Sequence, residues 1–252
     1  MIRLSYRLFF RDYQYRYQLT RLGYAWSIIR PILTCVPIIL IGSQIGLSSG
    51  LPEHISYINY AFSGFIFFRI IFDAFEYPQM LSWRARKLIR STPFPRTAVI
   101  LAGMWYAFLN SIVYLLLMSV LVLLSDTTVV WSALLTLSFL PLLFICGALP
   151  ALIFSPMALI YQDVRYGQPV IAAAFLWLSP IFYYPPPGSL LEAINVYNPV
   201  AYLISFPRAW LLDMPAPPIS GLWLILVSTA ILFPLALRFY RNAMPLVAER
   251  SV

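Results

Sequence analysis

Charge is what this sequence has least of. Only 10% of its 252 residues are charged and 61% are hydrophobic, where an ordinary soluble domain carries about a quarter charged residues. That scarcity excludes a single water-soluble domain, because a chain of this length could not hide so much apolar surface in one core. There is one lysine, Lys87, and no GxxxxGK[ST] phosphate loop, so the chain has no such machinery for hydrolysing ATP itself. The single histidine, His54, argues against a histidine-based metal site. The two cysteines, Cys35 and Cys146, lie inside apolar stretches with no CxxC spacing and read as small core residues. Carboxylates are scattered singly except Asp73 and Glu76, which leaves no acidic cluster for a metal-dependent sugar transferase.

What is present is a succession of apolar runs. The sequence predicts an all-α polytopic membrane protein with six transmembrane helices, over Pro31–Leu47, Tyr57–Tyr77, Thr97–Leu124, Val129–Ile160, Pro169–Tyr184 and Gly221–Phe239. The first run begins after six arginines and lacks a small-residue cleavage site, so a retained span is expected there, not a signal peptide. The fourth is long and carries Pro141, Pro150 and Pro156; a kink or a cytoplasmic extension is expected, and charge argues against splitting it into two spans. Residues 1–30 read as an amphipathic interface segment, residues 31–252 as one six-span domain with a connecting loop at 78–96 and an outer segment at 185–220.

The net charge of +8 comes from 17 basic and nine acidic residues. These charges fall between apolar segments instead of forming one patch, which points to topology and not to nucleic acid. Fifteen of the 17 lie on one side of the predicted topology: Arg3, Arg7, Arg11, Arg16, Arg21 and Arg30; Arg84, Arg86, Lys87, Arg90 and Arg96; Arg165; and Arg238, Arg241 and Arg250. Only Arg208 falls opposite, and Arg69 lies within a span. Both termini are therefore expected in the cytoplasm. Arg3, Arg7 and Arg11 recur at helical spacing beside a stripe of Leu4, Leu8, Tyr15 and Leu22, while Phe9 and Arg16 fall off the pattern. Such a helix can lie in the headgroup layer.

Three sets of residues could carry function. Arg69, Asp73 and Glu76 share one face of the second span; ionisable groups at that depth normally face a bundle interior or a wet cavity, and Arg69–Asp73 is a candidate ion pair. The loop Pro78–Arg96, with five basic residues and Ser91-Thr92-Pro93-Phe94-Pro95, is either a solvated topology signal or a docking element for a cytoplasmic partner. Trp177, Phe182, Tyr183 and Tyr184 cluster at the outer end of the fifth span, and Tyr57, Tyr60, Phe62, Phe65, Phe67 and Phe68 in the second; they are either an interfacial belt or a surface over which sugars slide. The outer segment, broken by Pro185-Pro186-Pro187, Asn198-Pro199, Pro207 and Pro215, holds apolar pieces at Leu190–Tyr197 and Val200–Leu212 too short to cross. They suit an interfacial or re-entrant helical hairpin.

The order of these features resembles the membrane subunit of polysaccharide-exporting ABC transporters, the family that handles O-antigen, capsule and teichoic acid. The resemblance runs through nearly the whole chain and rests on Arg21-Leu22-Gly23-Tyr24-Ala25-Trp26 before Pro31, Asp163-Val164 after the fourth span, Ser179-Pro180-Ile181-Phe182-Tyr183 in the fifth, and Asn198-Pro199 followed by Arg208. It implies a homodimer in a bacterial cytoplasmic (inner) membrane, docked on two ATP-binding subunits that hold ATP and Mg, with no cofactor on this chain. It implies a coupling helix at Arg84, Arg86, Lys87 and Arg90, an interface helix with Arg3, Arg7, Arg11 and Trp26, and a substrate path touching Trp177, Phe182, Tyr183, Tyr184 and Arg69. The implied cargo is a lipid-linked polysaccharide. The competing expectations are export of a small hydrophobic molecule, and an intramembrane enzyme on lipid-linked sugars using Asp73, Glu76 and Asp163.

Overall fold

The computed structural model describes residues 1–18, 20–47, 50–91, 94–124 and 133–250. Its regular structure is helical throughout, with no strand among the described residues. An N-terminal helix α1 (Ile2–Gln18) leads through a 3-10 turn at Gly23–Ala25 into α2 (Trp26–Gln44). Then come α3 (Tyr57–Arg84), the short α4 (Arg86–Ser91), α5 (Thr97–Leu124), α6 (Ala133–Ile160), α7 (Gln162–Leu178), α8 (Leu190–Tyr197), α9 (Pro199–Leu212) and α10 (Ile219–Arg250). Among the described residues five helices, α2, α3, α5, α6 and α10, are long and apolar enough to cross a bilayer. The chain is a multi-pass helical membrane protein.

The predicted second, third, fourth and sixth spans each fall on one of these helices. α6 runs unbroken through its three prolines, so the fourth run is one helix; its predicted first positions, 129–132, lie outside the described residues. The first span begins earlier than expected, at Trp26, and so carries Arg30 on its first turns. The fifth differs most. α7 is a 17-residue helix that stops at Leu178, and Ser179 is already extended (φ −85°, ψ 151°) because the residue before a proline is pushed out of the helical region.

α3 is the hub. Some 89% of its most apolar stretch is buried, against 17–33% for the other four long helices. Phe65, Phe67, Phe68, Phe72 and Phe75 fill the space around it. Lipid offers no hydrophobic drive between helices, so close approach through small residues has to supply the packing. Gly103 of α5 sits directly against the backbone of Tyr77 and Pro78, and Gly147 of α6 against the carbonyl of Ile71. A methyl at Gly103 would overlap the Pro78 backbone, costing about 1–3 kcal/mol, more than the roughly 0.5–1 kcal/mol that alanine gains over glycine in a helix. Gly103→Ala should therefore lower the thermal midpoint of the purified protein. Gly167→Ala, where the added methyl meets nothing within 4 Å, should raise it slightly. Equal responses at the two positions would contradict this packing.

A second core joins α1 to the bundle. Leu8 and Phe9 pack with Leu81, Ala85, Ile89, Val99 and Tyr106, and with Tyr240 and Met244 of α10. Ser5, Leu8 and Phe9 of α1 are buried. Of the predicted stripe, Leu8 and, in part, Leu4 pack on this core while Tyr15 and Leu22 are exposed. Phe9, off that pattern, is the most enclosed apolar side chain among the described residues of the helix. Phe9 is taken up because Tyr106 meets its ring edge-on at 4.8 Å between centroids. Arg3, Arg7 and Arg11 stay exposed, beside an exposed apolar stripe of Ile2, Tyr6 and Phe10.

Candidate functional site

The charged residues of α3 organise the strongest site. Asp73 is fully buried and accepts from three donors: Arg69 through Nη2, Asn110 Nδ2 at 2.8 Å and Tyr114 OH at 2.9 Å. Asn110 Nδ2 also reaches the Tyr77 hydroxyl at 2.8 Å. Asp73 is thus a well-satisfied structural acceptor, as a buried carboxylate has to be. Arg69 keeps a quarter of its side chain exposed and lies 3.8 Å from Glu76 Oε2. Both of these face a cavity.

That cavity, of about 470 Å³, lies between α2, α3, α5 and α7 and the end of α1. Arg16, Arg30 and Arg69 line it against one carboxylate, Glu76. Trp26, Phe65, Phe68, Tyr77 and Tyr114 supply aromatic wall, and α7 closes it with Pro169, Ala172, Ala173 and Leu176. Arg16 stands over the Tyr77 ring at 5.6 Å and Arg30 over Trp26 at 5.8 Å, so aromatic faces hold the guanidiniums in place. Three guanidiniums lining one cavity, one of them already paired with Asp73, suit a phosphate or other oxyanion.

A second basic region adjoins it. A groove of about 700 Å³ is lined by Arg11, Asp12, Tyr15, Arg16, Trp83, Arg84, Arg86 and Lys87. Its one carboxylate, Asp12, is taken by Arg84 at 3.0 Å and by Tyr106 OH at 2.7 Å, which ties α1 to the end of α3. The Trp83 indole carries Arg86 at 4.5 Å and Arg165, from the start of α7, at 4.2 Å. Arg84, Arg86 and Lys87 therefore share one surface. The side chain of Arg90 lies outside the described residues, as do Thr92 and Pro93 and the side chains of Tyr24 and Arg250.

Ser179-Pro180-Ile181-Phe182-Tyr183, Asn198-Pro199 and Arg208 meet at the non-helical strip Ser179–Tyr184. Tyr57 OH donates to the Phe182 carbonyl at 2.8 Å, Tyr60 OH to that of Tyr183 at 3.1 Å, and Arg208 Nη2 to that of Pro180 at 2.6 Å. Asn198 caps α9 through Oδ1 to the Val200 amide at 3.0 Å, with Pro199 as the first helical residue, and its Nδ2 donates to Ser179 Oγ at 2.9 Å. Irregular backbone in an apolar setting needs such partners for its carbonyls.

The expected path residues divide accordingly. Arg69 lines the arginine cavity; Trp177, Phe182, Tyr183 and Tyr184 do not. Trp177 is exposed, Phe182 is buried against Phe65 and Trp177, and the Tyr183 hydroxyl donates to the Leu178 carbonyl while accepting from Asn195. Trp26 joins the cavity, whereas Arg3 and Arg7 line neither basic region. Sequence reasoning missed Arg16, Arg30, Asn110 and Tyr114 as site residues. For Asn110 and Tyr114 a signal existed: two polar groups four apart, on one face of a largely apolar span. No protein-family model matches the chain, and a search of curated proteins finds no similar one.

Proposed function

We propose that this chain is the membrane subunit of an ATP-driven exporter that carries a lipid-linked polysaccharide across a bacterial cytoplasmic membrane. The observation that carries the reading is the arginine cavity between α2 and α7: three guanidiniums and a rim of aromatic rings in a membrane bundle. A lipid-linked glycan presents just those chemistries, an anionic phosphate linkage followed by sugars with apolar C–H faces. The sequence resemblance supports the same assignment.

In this reading α7 and the strip after it form the fifth of six crossings: 17 residues span about 25 Å as helix, and the extended strip Ser179–Tyr184 adds the rest. α8 and α9 form a hairpin re-entering from the outer side, and both termini lie in the cytoplasm. A second copy completes the path, since α7 buries only Ala172 and α2 leaves most of its length uncovered. The basic groove and α4 receive a separate ATP-binding subunit, which holds ATP and Mg. Its closure pushes α4, the phosphate group leaves the arginines, and the glycan advances over aromatic surfaces such as Trp177 in steps of weak contact.

Deleting the gene should leave complete lipid-linked glycan inside the cell and none at the surface. Arg30→Ala and Arg16→Ala, expressed at unchanged protein level, should each lower surface glycan severalfold by removing phosphate contacts. Normal surface glycan in the deletion strain would sink the polysaccharide assignment and favour a small hydrophobic cargo.

A further inference from the structure

α7 borders two cavities of opposite character. Ala172, Ala173 and Leu176 face the arginine cavity, whereas Ile171 and Phe175 face a second space of about 410 Å³. That second space is walled by α3, α6, α9 and α10 as well, through Phe72, Phe154, Leu203 and Ile225 among others. Its few polar side chains look after themselves. Ser228 Oγ donates to the Ile225 carbonyl at 3.1 Å, and Cys146 Sγ lies 3.5 Å from Thr229 Oγ1.

A water held there would need two to four polar partners, and the lining offers only the spare lone pairs of Ser228 and Thr229, too few to hold a filled space of this size. Left empty, the cavity would forfeit dispersion contacts along its whole lining. The need is sharpest at α7, which has a single buried residue in 17 and touches the hub through rings such as Phe175 against Phe72 at 6.0 Å. Three of the other walls are membrane-crossing helices, so the medium outside them is hydrocarbon. Ile171 and Pro199 of its lining are themselves exposed.

We infer that this cavity is a binding site for one hydrocarbon chain of a bilayer lipid, which packs behind α7 and holds it against α3. The site differs from the arginine cavity in position and chemistry, and it does not depend on what the protein transports. A chain seated there is a packing element that can leave, so α7 is held by something exchangeable.

The test uses the full chain in phosphatidylcholine vesicles containing a trace of phosphatidylcholine with a photoactivatable diazirine in one acyl chain. After illumination, adducts are mapped by peptide mass spectrometry. Adducts should appear on the peptides holding Phe154 and Phe175, and fall severalfold in Val200→Phe, which fills the cavity. Adducts on the exposed α10 residues Leu224, Leu232 and Leu235 should stay unchanged. Ser228→Leu blocks the same space from another wall and guards against misfolding of the first variant. Adducts confined to exposed helix faces and indifferent to both variants would overturn the site. So would a cavity shielded from the probe whose filling weakens self-association, since a side chain of a second copy would then be the occupant.

Discussion

Asp73→Ala is expected to be the most damaging single substitution in the chain. It removes the carboxylate that Arg69, Asn110 and Tyr114 all address, and leaves a guanidinium in the bundle with only Glu76, at 3.8 Å, for counter-charge. Breaking one side of a buried ion pair costs about 3–5 kcal/mol. Arg69 keeps a quarter of its side chain exposed to the cavity, so the lower end applies. The expected readout is a large drop in thermal midpoint and in monodisperse yield after extraction. Asp73→Asn should fall between, because an amide oxygen still accepts from Tyr114. The double variant Arg69→Leu/Asp73→Leu should recover much of the loss, since replacing both partners by apolar groups removes the stranded charge. A double variant no better than Asp73→Ala would show that the network, and not the stranded cation, sets the stability.

Arg208→Ala is expected to free the strip Ser179–Tyr184. Arg208 is 2% exposed, donates to the Pro180 carbonyl and stacks over the Tyr60 ring at 4.0 Å. Among the described residues no carboxylate is ion-paired with it. Truncation loses a charged hydrogen bond worth about 1.5–3 kcal/mol and a desolvated cation–π contact worth about 2 kcal/mol. It also relieves the burial of an uncompensated charge, so the global loss is smaller than those two together. The local loss is not offset. With Cys35 and Cys146 replaced by serine, Ile181→Cys should resist a maleimide, because Ile181 is completely buried. Adding Arg208→Ala should raise its labelling rate severalfold. Arg208→Lys should fall between, since an ammonium can still donate to one carbonyl but lacks the flat face for stacking on Tyr60. Unchanged labelling would mean that the tyrosines hold the strip alone.

How far the site was legible depended on distance along the chain. Arg69, Asp73 and Glu76 could be placed on one face from helical spacing, as could Asn198-Pro199 at a helix start, because each relation lies within a turn or two. The burial of Phe9 was not legible from α1's own periodicity, because it is set by where Tyr106 stands. The fifth apolar run, Pro169–Tyr184, ends several residues beyond the helix Gln162–Leu178 because an apolar run registers hydrophobicity and not backbone conformation, which Pro180 changes.

By itself, then, the sequence determined the solvent and the secondary structure. Scarce charge and long apolar runs put the chain in a bilayer, where backbone groups must bond within each segment and helices follow. It could not determine which polar side chains meet. Asp73 finds Asn110 and Tyr114, and the strip Ser179–Tyr184 finds Tyr57, Tyr60 and Arg208, only because helices distant in sequence close on α3 at contacts such as Gly103 and Gly147. The arginine cavity has the same origin. Its three cations are separated in sequence, and only the packing of α2 and α7 about α3 turns their residues from scattered charges into one surface.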